Sequence, residues 1–446
     1  MQSKRWFQAF VISIVFTMPN VSQAFCGFYM ARADSQLYNK SSKVVMARKD
    51  ETTVITMVND YQGEEKDFAM LVPVPQVLKR NQIRIARQEV VERVDAFSAP
   101  RLVKYYDNPQ CNYSSPSNTE GLGARSAQLD PGESGSNKAY GVKIEASYSV
   151  GEYDILILSA QQSRGLLQWL KSNNYKVDSS ATKVLESYIK QDMRFFVAKV
   201  NLAKKRQQGL SYLRPLQIRF DSKKFMLPIR LGMANAQGTQ ELYVFTLTAK
   251  GRVETTNYRT VKPPTDIDLP LYIEKEFGGF YQALFDRQFE QYDKRAVFLE
   301  YAGNVNRCDP CSSNPLSRKE LRELGVFWLK PEKSKQNQAI IITRLHLRYD
   351  QEHFPDDLVF QETNHNSYDR FQLRYIVREP TTNGLDCEDG FAYVNHELPL
   401  RYETEADNLS ELTGEDVNII RKRLNLPQHP PGQKSFWQFI QQSTGR

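Results

Sequence analysis

The chain has 446 residues, 40% of them hydrophobic and 11% aromatic, a composition that supports the packed cores of about two domains and excludes global disorder. The formal net charge is +7, and Lys4 and Arg5 carry two of those charges, so the rest of the chain holds a mild surplus near +5. Basic residues alternate with acidic ones and the densest run, Lys204-Lys205-Arg206, is short, which argues against a nucleic-acid groove.

Lys4 and Arg5 precede an apolar stretch from Phe7 to Met18, and Ser22 and Ala24 place small residues where a signal peptidase reads. Residues 1–24 are therefore expected to be a signal peptide, cut between Ala24 and Phe25. The apolar stretch is well short of the roughly 20 residues that span a bilayer. Phe25 stands before Cys26 where lipoprotein processing requires a small residue, so no lipid anchor is expected. No later segment is apolar for long enough to cross a membrane, and the expected product is soluble and periplasmic or secreted. In an oxidising compartment Cys26, Cys111, Cys308, Cys311 and Cys387 are candidates for disulfides, with one left over and no pairing legible.

In chain order, Val44–Arg48, Val54–Val58 and Phe68–Val74 read as an antiparallel meander, with Pro73 and Pro75 placing the third strand at an edge or its end. Val90, Val91, Val94 and Phe97 recur at helical spacing, and Pro100 can open a short second helix with Leu102, Val103 and Tyr106. Residues 107–141, rich in Asn, Ser, Gly and Pro, read as a mobile loop rather than a lid. Strands are expected at Val142–Val150 and Tyr153–Ser159, then a helix with Leu166, Leu167, Trp169 and Leu170 and another with Val184, Leu185, Tyr188 and Ile189. Further strands are expected at Phe195–Leu202, Leu216–Phe220, Leu242–Leu247 and Arg252–Thr256. Residues 261–270 hold three prolines and read as a linker between domains 25–260 and 271–446. Beyond it come a helix with Phe277, Phe280, Tyr281, Leu284, Phe285 and Phe289 on one stripe, and a strand at Ala296–Tyr301. Ser317 and Glu320 form a capping box, Leu316 and Leu321 a staple, and Gly325 a stop. Strands at Ile340–Tyr349 and Phe371–Arg378 precede a last helix that starts at Thr413 and buries Val417, Ile420 and Leu424. Strands mixed with inserted amphipathic helices predict a β-rich α+β fold with mainly antiparallel sheets.

Cys308-Asp309-Pro310-Cys311 is the sharpest chemical motif. Two thiols at this spacing can form a structural disulfide, a redox pair or half of a metal site. The capped helix begins six residues after Cys311, so no helix dipole is aimed at either sulfur, and the structural disulfide is favoured. No second Cys pair or His pair sits at ligand spacing, so no metal is expected. His346 shares a strand face with Arg344 and Arg348, whose charges oppose a divalent cation. His353 lies near Asp356 and Asp357, and Asp386, Glu388 and Asp389 surround Cys387, without the spacing of a calcium loop. HExxH, GxSxG and the phosphate-binding loop are missing.

Several stretches carry a resemblance: Cys26-Gly27-Phe28-Tyr29, Asn59-Asp60-Tyr61-Gln62-Gly63, Phe68–Pro75, Ser98–Tyr105 and Val150-Gly151-Glu152-Tyr153-Asp154. They continue with Leu227-Pro228-Ile229-Arg230-Leu231-Gly232, Gly251–Thr260, Cys308–Cys311 with Pro315-Leu316, and Phe354-Pro355-Asp356-Asp357-Leu358. On these residues the chain resembles the uncharacterised bacterial family known as domain of unknown function 2330, with a departure at Gly303, where an aromatic residue would be expected. The resemblance implies no activity, cofactor or site residue. The functional expectation is an exported, non-catalytic binding or scaffolding protein, without cofactor, whose partner in the envelope is unknown. A thiol-disulfide oxidoreductase using Cys308 and Cys311 and an envelope hydrolase with an unrecognised site are the alternatives.

Overall fold

Alternation of β-branched residues makes Ser42–Lys49 and Thr52–Val58 a hairpin, and Asp50 supplies the left-handed turn residue at φ 55°. In the computed structural model this hairpin lies inside a large mixed sheet. Ser42–Lys49 runs parallel to Gln240–Thr248, which pairs in turn with Ile341–Tyr349, then Ala296–Asn304, then the short edge strand Arg259–Val261. On the other side Thr52–Val58 pairs with Leu216–Asp221, which pairs with Ile83–Ile85. The structure describes residues 28–31, 38–39, 42–58, 61–62, 68–108, 141–173, 175, 181–209, 212–233, 238–306, 314–330, 338–363 and 370–426.

A second sheet is antiparallel throughout, in the order Phe28–Ala31, Phe68–Val74, Arg194–Val200, Tyr153–Ala160, Val142–Val150. Period-two alternation sorts its residues between two cores. Ala69, Leu71, Phe195 and Val197 face the helices Ser163–Ser172 and Ala181–Lys190, joining Leu166, Leu170, Leu185 and Tyr188. Met70, Val72, Phe196 and Ala198 face the large sheet, joining Val44, Met46, Ile55, Met57 and Ile218. The far face of the large sheet packs Val45, Val54, Phe245 and Ile342 against Val90, Val91, Val94 and Phe97 of helix Gln88–Ser98 and against Leu321 and Leu324. The layers are therefore helices, sheet, sheet and helices, an α+β architecture with mainly antiparallel and mixed sheets.

Four expectations are corrected here. Phe68–Val74 is not the third strand of a meander: both of its faces are buried, and it pairs in the second sheet, where Phe28–Ala31 pairs with Phe68–Leu71 and, among the described residues, no strand pairs with the Pro73 edge on that side. Pro100 opens no helix. Arg101–Tyr106 is a strand parallel to Arg374–Glu379, and buried Arg101 donates from Nη2 to the Phe97 carbonyl at 2.9 Å. Residues 261–270 do not part the chain, because strands from before and after them interleave in the large sheet and Ile267–Leu269 itself pairs with Arg374–Glu379. The prolines bound strands instead of freeing a linker, and the Pro264 carbonyl accepts from the Tyr375 hydroxyl at 2.6 Å. Thr413 ends a helix, Leu398–Thr413, closed by left-handed Gly414 (φ 78°), and Asp416 caps the next, Val417–Arg423, by accepting from the Asn418 amide at 2.8 Å.

The Ser317 and Glu320 capping box forms as expected, with Gly325 at φ 94° past the helix end. A side chain at Gly303 would meet the Tyr301 hydroxyl 2.8 Å away, so the bulk expected at 303 is supplied by the tyrosine two residues before it. The expected loop of 107–141 falls outside the described residues from 109 to 140.

Candidate functional site

The two sheets do not close completely against each other at one end. Ile55, Met57, Ile218 and Phe220 of the large sheet, Val72 and Pro73 of the second, and Met193, Met226 and Leu227 enclose a cavity of about 250 Å³. That exceeds the ~150 Å³ that holds a benzene in an engineered core. Most of the walls belong to the main core, with Ile218 fully buried, while Met193, 8% exposed at the margin, belongs to the core beneath the helix pair. The mouth is of opposite character: Ser222, the exposed Lys223 and Lys224, and Gln191 stand around it. Arg48 builds this rim from beneath, donating through Nη2 to the Ser222 carbonyl at 3.0 Å and stacking over Phe225 with 4.9 Å to the ring centroid. Lys224 Nζ donates to Gln191 Oε1 at 3.2 Å, spanning the mouth. The arrangement can desolvate an apolar body and offer ammonium groups to an anionic head.

Beside the pocket, two of the stretches that carried the resemblance meet. Met226–Leu227 pairs with Leu358–Glu362, and the buried Asp357 carboxylate accepts from the Tyr188 hydroxyl at 2.6 Å and from the Ile229 and Arg230 amides at 2.9 and 3.2 Å. Burial pushes the Asp357 carboxyl up, against these donors and Arg230, which pull it down. Asp357 is thus spent on holding the pocket's floor to the helix pair and does not serve His353, which bonds Asp350 through Nδ1 at 2.8 Å.

His346 has a different setting from the one its strand neighbours suggested. The register slips at Glu300, so strand Ala296–Asn304 presents Glu300 and Tyr301 together toward Arg344. Glu300 Oε2 accepts from Arg344 Nε at 2.6 Å, and Oε1 pairs with His346 Nδ1 at 3.0 Å and with the Tyr281 hydroxyl. Arg344 also reaches Asp95 on helix Gln88–Ser98, while the His346 ring lies between Tyr243 and Phe285, at centroid distances of 4.1 and 3.9 Å. Burial would push the Glu300 carboxyl up, but Arg344, His346 and Tyr281 hold it at about 2. With Glu300 and His346 each 1% exposed, the network pins two helices to the sheet and presents no face to a substrate.

Of the residues singled out by motif, Cys26, Cys111, Cys308, Cys311, Ala24 and Phe25 lie outside the described residues. Cys387 is described, and its sulfur accepts from the Gly390 amide at 3.4 Å at the start of helix Glu388–Ala392. Asp386, Glu388 and Asp389 gather no cation site, and among the described residues no group of three His, Cys, Asp or Glu side chains could hold a metal. No described helix is long and apolar enough to cross a membrane. Motif reasoning passed over Glu300, Lys223 and Lys224, which become a network and a rim only through strands far apart in the chain.

These features define an α+β protein of two stacked sheets with helices outside and a lysine-rimmed apolar pocket between the sheets. The chain belongs to the family described as uncharacterized protein conserved in bacteria (DUF2330), whose model matches residues 20–361, a span that contains every pocket residue. Comparison with curated proteins and with solved structures gives no match.

Proposed function

We propose that this protein is an exported, non-catalytic binding protein whose ligand is a small amphipathic acid, its apolar body between the sheets and its anionic head at Lys223 and Lys224. The observation that carries this reading is the joining of a preformed apolar cavity to a cationic mouth. Each methylene buried there contributes about 0.8 kcal/mol, so a medium-length chain supplies several kcal/mol before the entropy of association is subtracted. The signal peptide read at residues 1–24 supports export, and the large buried core supports a rigid scaffold around the site.

The test is fluorescence titration with 1-anilinonaphthalene-8-sulfonate, followed by displacement with decanoate and with decanol. Decanoate should displace the probe from the wild type. Reversing both rim charges, Lys223→Glu with Lys224→Glu, should weaken decanoate about tenfold while leaving decanol nearly unchanged, the two exposed ammonium groups being worth under about 1 kcal/mol each. Met193→Trp, which fills the margin, should weaken both. Equal loss of decanoate and decanol in the rim variant, or no saturable binding by folded protein, would refute the reading.

A further inference from the structure

A second cleft, of about 290 Å³, lies away from the sheet pocket, where helix Leu398–Thr413 meets strand Ile267–Leu269. It is lined by Asp268, Glu397, Leu400, Arg401, Thr404 and Glu405. The turn that leads into the helix, Tyr393–Glu397, is a π-helical turn, a local widening often found at functional sites. Most of the charge here is already matched. Arg401 donates through Nη1 to Asp107 Oδ2 at 2.6 Å, and Asp268 Oδ1 accepts from Arg378 Nε at 2.7 Å. Glu405 is different. It is 1% exposed, its Oε1 stands 3.4 Å from Arg401 Nε, and its buried Oε2, like Nε and Nη2 of Arg401, has no hydrogen-bond partner, in a side chain that lines the cleft.

A buried carboxyl oxygen left without a donor is costly unless a ligand or a proton satisfies it. The groups facing it are Asp107, Asp268 and Glu397 on the acidic side and Arg378 and Arg401 on the basic side, so with Glu405 the carboxyls outnumber the cations. A donor carrying positive charge is the complement. Leu400, 69% exposed on the cleft wall, offers an apolar surface for whatever carries that charge. A metal ion does not fit, since no three suitable ligands converge among the described residues. We propose that this cleft binds the primary ammonium group of an aliphatic chain, with Glu405 Oε2 accepting one N–H, Glu397 adding charge at the rim and Leu400 covering the methylenes. Burial, opposed by Arg401 and assisted by Asp268, raises the free Glu405 carboxyl to about 8, so at pH 7 an ammonium ligand must displace a proton.

The experiment is isothermal titration of the full protein at pH 7 with cadaverine and with acetyl-lysine amide, in two buffers of different ionisation enthalpy. The expected result is one saturable site that releases close to one proton per amine bound. Preference for cadaverine marks a free amine as the ligand, and preference for acetyl-lysine amide marks a lysine side chain. Glu405→Gln should abolish the proton release and weaken binding at least tenfold. Leu400→Arg, at an exposed position that folding tolerates, should weaken it similarly while leaving the melting temperature unchanged. Absence of saturable binding by the folded wild type, unchanged binding in Glu405→Gln, or equal binding of pentanol would overturn the proposal. Because the lysine-rimmed pocket is separate, failure of either site leaves the other intact.

Discussion

Replacing Glu300 with glutamine keeps the side-chain volume and one acceptor but removes the charge that faces Arg344 at 2.6 Å. The magnitude follows from the carboxyl itself. Its fall from an ordinary 4.5 to about 2 corresponds, at 1.36 kcal/mol per pH unit, to about 3 kcal/mol of folding free energy. Because the folded value lies below the unfolded one, this contribution is fully present above about pH 4.5 and is lost as the pH falls to about 2. Leaving buried Arg344 with only Asp95 brings the expected cost at pH 7 to about 3–5 kcal/mol, a large share of a typical domain's stability. Urea titrations followed by tryptophan fluorescence at pH 7, 4 and 3 measure it. The gap between wild type and Glu300→Gln should be widest at pH 7 and narrow steadily on acidification, since Asp95 and the other carboxylates titrate in both proteins. A gap under about 1 kcal/mol at pH 7, or one that stays constant to pH 3, would show that the network does not hold Glu300 ionised.

Asp357→Ala strands the Tyr188 hydroxyl and the Ile229 and Arg230 amides, and should cost about 2–4 kcal/mol in thermal or urea unfolding. Asp357→Asn, which retains one acceptor, should cost clearly less, and equal losses would count against the three-donor account. Intact mass of exported protein should show removal of residues 1–24 and no diacylglycerol on Cys26. The same preparation, alkylated before and after reduction, should show Cys387 protected until reductant is added, as a disulfide formed in an oxidising compartment requires. Cys308 and Cys311 should likewise be protected, and rapid alkylation of Cys308 near neutral pH would favour the thiol-exchange alternative.

Elements whose causes are local were legible in the sequence. The hairpins 42–58 and 142–160 declare themselves by alternation, helix Phe277–Gln291 by its aromatic stripe, and the turn at Ser317 by a cap whose two halves are three residues apart. The family resemblance was equally legible, since it rests on short stretches spread along the matched span. Where a residue's partner lies far along the chain, local pattern is silent. Helix Leu398–Thr413 escaped notice because its sequence is mostly charged and polar, and only Ala406, Leu409 and Leu412 reach a core assembled from other segments. Arg101–Tyr106 became a strand because Arg374–Glu379 offers it a ladder, which outweighs the weak helical preference behind Pro100. The pocket, the Glu300 network and the Glu405 cleft all belong to this second kind. Each sets side chains from distant strands and helices against one another, and Coulomb attraction, desolvation and cavity shape depend on distances in space that a one-dimensional pattern does not contain.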